Sequence, residues 1–427
     1  MKLTQFGLSV LSCCFTIAAG TQTQAASLSV VADKLDNARG IGFGDDGSIY
    51  VMEAGNGGNC QPSATSCAGN TGAVTKVTPD GQQRILSDLP SLAISPAPNQ
   101  RFVDGPQELK FDSSGNAYLL YAYGTFPGSR DAQLNAASGN TIPPDRVSNT
   151  SSLGQLYSVD LNTGNLTSIA DLAKYELVNN PDGTDLVSNP YALAINGNTA
   201  YIADAGANDV LSVKLDGSNL QAIPLPRQTI ENPELSPSVS GQVPEKLEVQ
   251  SVPTGVTVGS DGALYVSELT GFPYPEGKAR VFRIGVDGKP EVYADGFTQI
   301  SDLEFDKDGN LLVLQYADRS QWKGNLAGSL IQIAPDGTRT TLISAGEGLE
   351  RATALGISPN NEIYVTNKGD RPGEGQLLRV DTQAVPEPSP MLGLLAFGAI
   401  CGSTWLGRKR SLKLKMDRTA DADIYTV

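Results

Sequence analysis

The stretch that decides the fold is Gly255-Val-Thr-Val-Gly-Ser-Asp-Gly-Ala-Leu-Tyr-Val-Ser-Glu268. Two short apolar runs flank a turn of Asp and Gly, which is the pattern of a β-hairpin. Related stretches occur six times, and each is followed by a second hairpin or its beginning. The six stretches are Gly40–Glu53, Glu108–Tyr121, Ala192–Asp204, Gly255–Glu268, Asp302–Gln315 and Ala354–Asn367.

Four strands per unit, repeated six times, predict an all-β protein with a six-bladed β-propeller. The sixth unit has only three strands and stops after Val380. Its missing strand should resemble Val292–Phe297, which precedes the fifth unit. The stretch Val30–Leu35 has this character and precedes the first unit. We therefore predict that the N-terminal strand closes the last blade, so that residues 28–383 form one domain.

The connections between strands differ strongly in length. Turns inside a hairpin are short, whereas every long segment follows the second strand of a unit or precedes the first strand of the next. In a propeller both kinds of connection emerge on one face, here called the loop face; the opposite side is the hairpin face. A built-up loop face on a rigid scaffold favours a binding function. The long segments are 55–72, 91–106, 123–153, 174–190, 224–253, 271–278 and 318–328.

The composition excludes several classes of function. The 427 residues include no His and carry a formal net charge of −15. Without imidazole there is no Ser-His-Asp or Cys-His catalysis and no His-ligated metal. The acidity opposes binding to phosphate backbones, so no nucleic-acid partner is expected. The 46 Gly agree with a turn-rich β protein.

Polar residues end the second strand of every unit. Because this position is equivalent in all blades, we expect these side chains to gather at the loop-face mouth of the central channel. The first strands add Glu108 and Asp302 at their beginnings, with Tyr191 and Thr254 one residue earlier in their blades. The second-strand residues are Glu53, Tyr121, Asp204, Glu268, Gln315 and Asn367.

This set of oxygen donors has three interpretations. Carboxylates without His suit Ca²⁺ or another oxygen-ligated divalent metal, with Glu53, Glu108, Asp204 and Glu268 as candidate ligands. Paired carboxylates could instead perform acid–base catalysis, although no individual catalytic residue can be assigned from the sequence. The third interpretation is that strand ends are polar because water reaches the channel.

The N-terminus has the features of an export signal. Residues 1–26 combine a basic start, an apolar run and a small-residue cleavage site, which predicts a secretory signal peptide removed by signal peptidase. Lipoprotein processing at Cys13 is the alternative. The cysteines that lie between the two terminal segments are Cys60 and Cys67. In an oxidising compartment we expect them to form a disulfide that staples their loop, and a two-thiolate metal site is the weaker alternative.

The C-terminal segment 384–412 contains an apolar run of about 17 residues that precedes a basic cluster. A Pro-Glu-Pro tripeptide precedes the apolar run, and the basic cluster follows it. This order resembles the PEP-CTERM sorting signal, in which an exosortase recognises the tripeptide and removes the helix. An ordinary membrane anchor is the alternative, and residues 413–427 form a short cytoplasmic or disordered tail. The residues of the signal are Pro386, Glu387, Pro388, Arg408, Lys409 and Arg410.

These signals predict the location of the protein. It is expected in the periplasm, outer envelope or extracellular matrix, with transient anchoring in the inner membrane. Contact with the membrane is expected only through the C-terminal helix, before processing.

Five segments of the domain resemble the ScyD/ScyE family of propellers, named for the scytonemin gene cluster of cyanobacteria. The resemblance extends roughly over residues 28–382 and implies an exported, NHL-like propeller. It adds Asn208 to the candidate ligand-binding residues. It also implies a late periplasmic step of pigment formation, such as metal-assisted oxidative coupling of an indole–phenol monomer. The segments are Asn189–Leu193, Ala203–Asn208, Val252–Gly255, Tyr265–Pro275 and Gly296–Asp302.

Three functions agree with these features. The first is binding of a small molecule or an envelope or matrix partner on the loop face, with a metal-assisted role in forming an extracellular pigment or secondary metabolite. The second is a calcium-dependent hydrolase or lactonase of the gluconolactonase-like propeller type. The third is a non-catalytic protein of the extracellular matrix. The sequence does not decide between an enzyme and a binding protein.

Overall fold

The computed structural model describes residues 26–58, 66–97, 100–136, 153–239 and 242–382. The N-terminal strand β1 covers Ala26–Asp36, and the strands that follow form blades in chain order. Blade 1 contains β2 (Ala38–Phe43), β3 (Ile49–Glu53), β4 (Ser66–Thr78), β5 (Gly81–Ala97) and β6 (Gln100–Asp104). Blade 2 contains β7 (Pro106–Phe111), β8 (Ala117–Tyr121), β9 (Gln155–Val159) and β10 (Leu166–Asp171). Blade 3 contains β11 (Pro190–Asn196), β12 (Thr199–Asp204), β13 (Asp209–Lys214) and β14 (Gln221–Pro224).

The second half of the propeller repeats this pattern. A small hairpin of β15 (Gln228–Glu231) and β16 (Lys246–Val249) precedes it. Blade 4 contains β17 (Pro253–Val258), β18 (Leu264–Glu268), β19 (Ala279–Ile284) and β20 (Pro290–Phe297). Blade 5 contains β21 (Ile300–Phe305), β22 (Leu311–Gln315), β23 (Ser329–Ile333) and β24 (Arg339–Ile343). Blade 6 contains β25 (Ala354–Ile357), β26 (Ile363–Asn367) and β27 (Pro372–Thr382). The predicted all-β, six-bladed propeller is confirmed.

The N-terminal strand closes the last blade, as predicted. Strand β1 pairs antiparallel with β27, with Leu28 opposite Val380 and Val30 opposite Leu378. Sheet order in blade 6 is therefore β1-β27-β26-β25. Leu35 of β1 is fully buried and packs in a cluster with Leu377. The closure removes an unpaired sheet edge and joins the two ends of the domain.

The hydrophobic core lies between neighbouring blades. One cluster, for example, joins Leu120 and Leu156 of blade 2 to Leu193 and Ile202 of blade 3. Burial of each such side chain contributes about 1.5–3 kcal/mol relative to exposure. Because every blade packs on two neighbours in this way, the channel walls are held in fixed positions.

The hairpin turns follow the predicted chemistry. Gly309 adopts a φ of 81°, which favours glycine in this turn. Asp306 Oδ1 accepts hydrogen bonds from the backbone N–H groups of Asp308 (2.9 Å) and Asn310 (2.8 Å). The acidic residues of these turns therefore stabilise backbone.

Several segments predicted to be loops contain regular structure. The prediction of a loop over residues 91–106 is wrong, because β5 continues to Ala97 and pairs with β6. Blade 1 therefore has five strands. Segment 224–253 contains the β15–β16 hairpin, and 174–190 begins inside helix α2, which covers Leu172–Asn179. Segment 123–153 contains a 3-10 turn (Pro127–Ser129) and helix α1 (Arg130–Ala136), and 318–328 contains the turn Gln321–Lys323.

The predicted sorting segment 384–412 and tail 413–427 lie outside the described residues, as does the predicted signal peptide 1–26 except for Ala26, which begins β1. Cys13 is therefore not described. No helix of the described ranges is long and apolar enough to cross a membrane. Cys67 is disulfide-bonded, while its predicted partner Cys60 is not among the described residues.

Candidate functional site

The first strands of the six blades line the central channel. They contact one another in turn around a closed ring, and each begins at the loop face. Successive side chains of a strand point to opposite sides, so alternate residues face the channel. The residues that open the six repeats form one level near the loop face, and only Glu108 and Asp302 are charged among them. This level comprises Gly40, Glu108, Ala192, Gly255, Asp302 and Ala354.

Glu108 forms an ion pair inside the channel. Its Oε1 lies 3.1 Å from Nζ of Lys110, two residues further along β7. The carboxylate occupies space beside Gly40 of blade 1, where a Cβ would lie 2.5 Å from Glu108 Cδ. Glycine at position 40 therefore leaves the room that this buried carboxylate needs.

Asp302 connects blades 5 and 6. Its Oδ2 accepts a hydrogen bond from the backbone N–H of Leu355 (2.8 Å), and its Oδ1 accepts one from the N–H of Leu303 (2.8 Å). Gly255 of blade 4 provides the space, because a Cβ there would lie 2.9 Å from Asp302 Oδ1. Blade 5 lies opposite blade 2 in the propeller, so Glu108 and Asp302 enter the channel from opposite sides.

Burial raises the pKa of both carboxyl groups. The pKa of Glu108 is raised to about 7, chiefly by burial, against the opposing charge of Lys110. Burial raises the pKa of Asp302 well above its usual value, and the charge of Glu108 raises it further. Burial thus favours the neutral form of both carboxyl groups, while Lys110 opposes this shift by favouring their ionised forms.

Tyr191 and Arg39 complete the loop-face mouth. Burial raises the pKa of Tyr191 to about 12; the charge of Arg39 opposes this shift, and the charges of Asp302 and Glu108 add to it. Arg39 donates hydrogen bonds to the carbonyl oxygens of Val103 (3.0 Å) and Gly369. Four blades therefore contribute charged or phenolic side chains to one mouth.

At the hairpin face the channel opens into a cavity of about 330 Å³. Lys110 and Glu304 line it, and Glu304 Oε1 accepts a hydrogen bond from the Thr257 hydroxyl (2.6 Å). The apolar lining includes Phe43, Phe111, Leu193, Ile195, Val258 and Ile357.

The predicted residues at the ends of the second strands are buried and tied to their own blades. Glu268 accepts hydrogen bonds from Arg280 and from the Ser251 hydroxyl (2.7 Å). Glu53 accepts bonds from Arg84, and its Oε2 also accepts the backbone N–H of Asp36 (2.7 Å). Each carboxylate thus fastens the connection that leads into its blade.

Three other residues that end second strands also hold the connection that leads into their blade. Asp204 accepts the N–H of Asn189, Gln315 accepts the N–H of Thr298 (2.6 Å), and Asn367 accepts the N–H of Glu350 (2.7 Å). The second strand lies about 4.8 Å outside the first, so its end lies beside the inter-blade connection rather than at the axis. These side chains are therefore not brought together around the channel.

Three further predicted residues also have local partners. The Tyr121 ring packs edge-on against Tyr157, with 5.7 Å between ring centroids. The Thr254 hydroxyl donates to the carbonyl of Ile300 (2.7 Å), which joins blades 4 and 5. Asn208 donates to Asp182 Oδ2 (2.8 Å). Their predicted roles in ligand binding remain predictions.

The four candidate metal ligands do not fit one metal site. Glu53 and Glu268 pair with arginines, Glu108 with Lys110, and Asp204 with backbone N–H groups and a serine. The described part of the chain contains no group of three or more Asp, Glu, Cys or His side chains that could hold a metal. The residues predicted for an axial metal are therefore spread over four blades with separate partners.

The first-strand residues Arg39, Lys110 and Glu304 were missed by the sequence analysis. A usable signal exists for two of them, because Lys110 and Glu304 follow Glu108 and Asp302 by two residues. In a strand this spacing puts both side chains on one face.

No protein-family model matches the sequence, and no curated protein matches it. Among solved structures, a gluconolactonase from Xanthomonas campestris is 11% identical, with a TM-score of 0.47 over 84% of this chain and 90% of that chain. The soluble aldose sugar dehydrogenase from Escherichia coli is 12% identical, with a TM-score of 0.47 over 84% and 100%. The PQQ-bound aldose sugar dehydrogenase from Streptomyces coelicolor is 12% identical, with a TM-score of 0.44 over 84% and 99%. At these values the similarities assign no activity to this chain.

Proposed function

We propose that this chain is an exported propeller that binds a small, uncharged, hydroxyl-bearing molecule at the loop-face mouth of its central channel. The observation that carries this proposal is the pair of buried carboxyl groups, Glu108 and Asp302, that enter from opposite blades. A ligand hydroxyl both donates and accepts hydrogen bonds, so it can pair with a carboxyl group in either protonation state. Tyr191 and Arg39 add a phenol and a guanidinium beside them.

The charge of the site favours a neutral ligand. Three carboxyl groups face Lys110 within the channel, so an anionic ligand would add repulsion at buried positions where charges are costly. Polyols, sugar lactones and phenols satisfy this condition. Their hydroxyl groups would replace water at buried polar atoms, which is where ligand orientation and specificity are usually determined.

We extend the proposal to the setting of the protein. The terminal segments support export to the envelope or matrix as a ScyD/ScyE-like protein with a PEP-CTERM signal. In that setting the ligand would be a pigment precursor or another secondary metabolite that carries a phenol or hydroxyl group.

Replacement of Glu108 by Gln is expected to weaken ligand binding at least tenfold. The amide has the shape of the carboxylate but carries no charge and has an NH2 donor in place of one acceptor oxygen, and a hydrogen bond to a charged group contributes about 1.5–3 kcal/mol. Calorimetric titration with panels of neutral polyols, sugar lactones and phenols measures the effect. Glu231→Gln is the control, because Glu231 forms an exposed ion pair with Lys246. Equal affinities in wild type and Glu108→Gln would contradict the proposed site.

The raised pKa of Glu108 favours a second candidate function, hydrolysis of a lactone or ester. Ionised Glu108 would take a proton from an attacking water, whose oxygen forms a bond to the acyl carbon. The acyl C–O bond breaks, and the leaving oxygen receives a proton from the protonated form of Asp302, which burial favours. Transfer of the proton held by Glu108 back to Asp302 then restores both groups. No step in this scheme requires a metal.

If the chain is a hydrolase, kcat/KM should rise with pH and level off above about 7, where Glu108 is ionised. Glu108→Gln should lower kcat by about 10²–10⁴-fold. Initial rates on a panel of lactones between pH 5 and 9 test this. Binding of the same lactones without turnover would contradict hydrolysis and would support binding alone.

A further inference from the structure

A second polar cluster lies at the loop-face end of blade 3, away from the channel. Helix α2 packs in one hydrophobic cluster with residues of blades 2 and 3 and carries Glu176, while Asp209 begins β13. Both side chains are buried, at 1% and 0% exposure. None of their four carboxylate oxygens has a hydrogen-bond partner.

The position of helix α2 is fixed at its N-terminus. Asp171 caps the helix by accepting the N–H of Lys174 (3.0 Å), and its two oxygens accept bonds from Arg130 at 2.7 and 2.6 Å. The helix ends at Asn180, which has a left-handed conformation with φ of 40°. Glu176 therefore lies on an anchored helix that holds its side chain in the buried position.

Two neighbouring carboxylates differ from Glu176 and Asp209 because they accept hydrogen bonds. Asp204 lies opposite Asp209 in the β12–β13 ladder and accepts bonds from the Ser188 hydroxyl (2.7 Å) and from three backbone N–H groups. Asp182 accepts bonds from the N–H and hydroxyl of Thr184 and from the Asn208 amide. Among the ion pairs of the described residues, none involves any of these four acids.

Unpartnered buried carboxylates are unfavourable in both protonation states. As anions they lose hydration without compensation and repel their neighbours. Burial in the first place, and the charges of Asp204 and Asp182 in addition, raise the pKa of Glu176 to about 7. Protonation alone leaves a buried O–H donor that needs an acceptor of its own. A cation satisfies all four oxygens and compensates the charge.

We propose that Glu176 and Asp209 bind a hard divalent cation of the Ca²⁺ type, which fastens helix α2 to blade 3. Two carboxylates supply the charge, and neutral oxygens from backbone or water complete the six to eight ligands that Ca²⁺ takes. This composition agrees with the described residues, in which no three acidic side chains form a metal group. The site is separate from the channel and does not depend on the proposed ligand.

Thermal unfolding of the full chain in EDTA and in increasing CaCl₂ tests the proposal. The wild type should bind one Ca²⁺ and melt several degrees higher when it is saturated, since a ligand of the native state stabilises it. Glu176→Gln and Asp209→Asn should each weaken Ca²⁺ binding at least tenfold. In EDTA both variants should melt at or above the wild-type temperature, because a buried charge has been removed. Glu231→Gln is the control and should keep the wild-type response.

Terbium luminescence provides a readout that does not depend on those variants folding. The pKa of Tyr175 is raised by burial and then by the charges of Asp209 and Glu176, so its ring lies near the pair. Tb³⁺ bound there should emit on tyrosine excitation, lose the emission when Ca²⁺ is added, and emit several-fold less in Tyr175→Phe. No Ca²⁺-dependent shift, or emission unchanged in Tyr175→Phe, would overturn the proposal. If the free energy of unfolding falls as the pH rises from about 4.3 to about 7 and Ca²⁺ has no effect, Glu176 and Asp209 hold a proton instead of a cation, and the proposal is wrong.

Discussion

Deletion of residues 26–35 is expected to abolish the stable monomer. These residues form nearly the whole outer strand of blade 6 and carry the fully buried Leu35. Loss of the ladder hydrogen bonds and of this burial removes on the order of 5 kcal/mol or more. That equals a large part of the stability of a typical domain. The exposed edge of β27 would then pair with other chains.

Light scattering and thermal unfolding measure the outcome of this deletion. The deleted chain should melt at a much lower temperature and form oligomers or aggregates. A circular permutant that begins at Asp36 and carries residues 26–35 after Thr382 is the rescue control, because Ala26 pairs with Thr382 in the native register. It should recover the monomer and most of the melting temperature. A deleted chain that stays monomeric with native stability would contradict the role of β1.

The fold was predictable because hairpins are local and repeated. Each repeat brings its own apolar alternation and its own turn, so six copies specify six sheets without knowledge of long-range contacts. The closing strand was predictable for the same reason, since Val30–Leu35 resembles the outer strand of another blade. The fifth strand of blade 1 was not, because β6 (Gln100–Asp104) has no counterpart in the other units.

The repeats can indicate channel residues only on the first strands. Equivalent positions on these strands lie at similar distances from the channel axis in every blade. Glu108 and Asp302 lie near the beginnings of first strands, and those strands contact one another in a ring around the axis. Glu53 and Glu268 end second strands, where a side chain meets the inter-blade connection. A repeat pattern gives the position along a blade but not the direction of the side chain, which depends on local donors such as Arg84 and Arg280.

The acidic pair of blade 3 could not be predicted from the repeats. Glu176 belongs to a helix inserted between two blades, so no other unit contains an equivalent residue. Asp209 is in a regular strand, but its burial depends on the helix that covers it. An insertion has to be placed in three dimensions before its charges can be matched with those of the scaffold.

Replacement of Arg280 by Met is expected to destabilise the fold by about 3–5 kcal/mol, because it leaves the buried carboxylate of Glu268 without its cation. Arg280 donates to both oxygens of Glu268 and lies over the Phe282 ring at 4.7 Å. Arg84→Met is the matched control. Its partner Glu53 is equally buried but keeps hydrogen bonds from the Thr75 hydroxyl (2.6 Å) and the Asp36 N–H (2.7 Å), one to each oxygen, so the loss should be smaller, about 1–2 kcal/mol.

Denaturant unfolding of the single variants and of Glu268→Gln/Arg280→Met measures this difference. The double variant should recover most of the loss, because the amide needs no counter-charge and still accepts the Ser251 hydroxyl. The pKa of Glu268 is already raised by burial, and Arg280 opposes that shift. In Arg280→Met the pKa should rise further, so the stability deficit should grow as pH rises from about 4.3 toward 8. Equal, small losses in Arg280→Met and Arg84→Met would mean that Glu268 is neutralised by another partner, which would return it to the candidates for ligand binding.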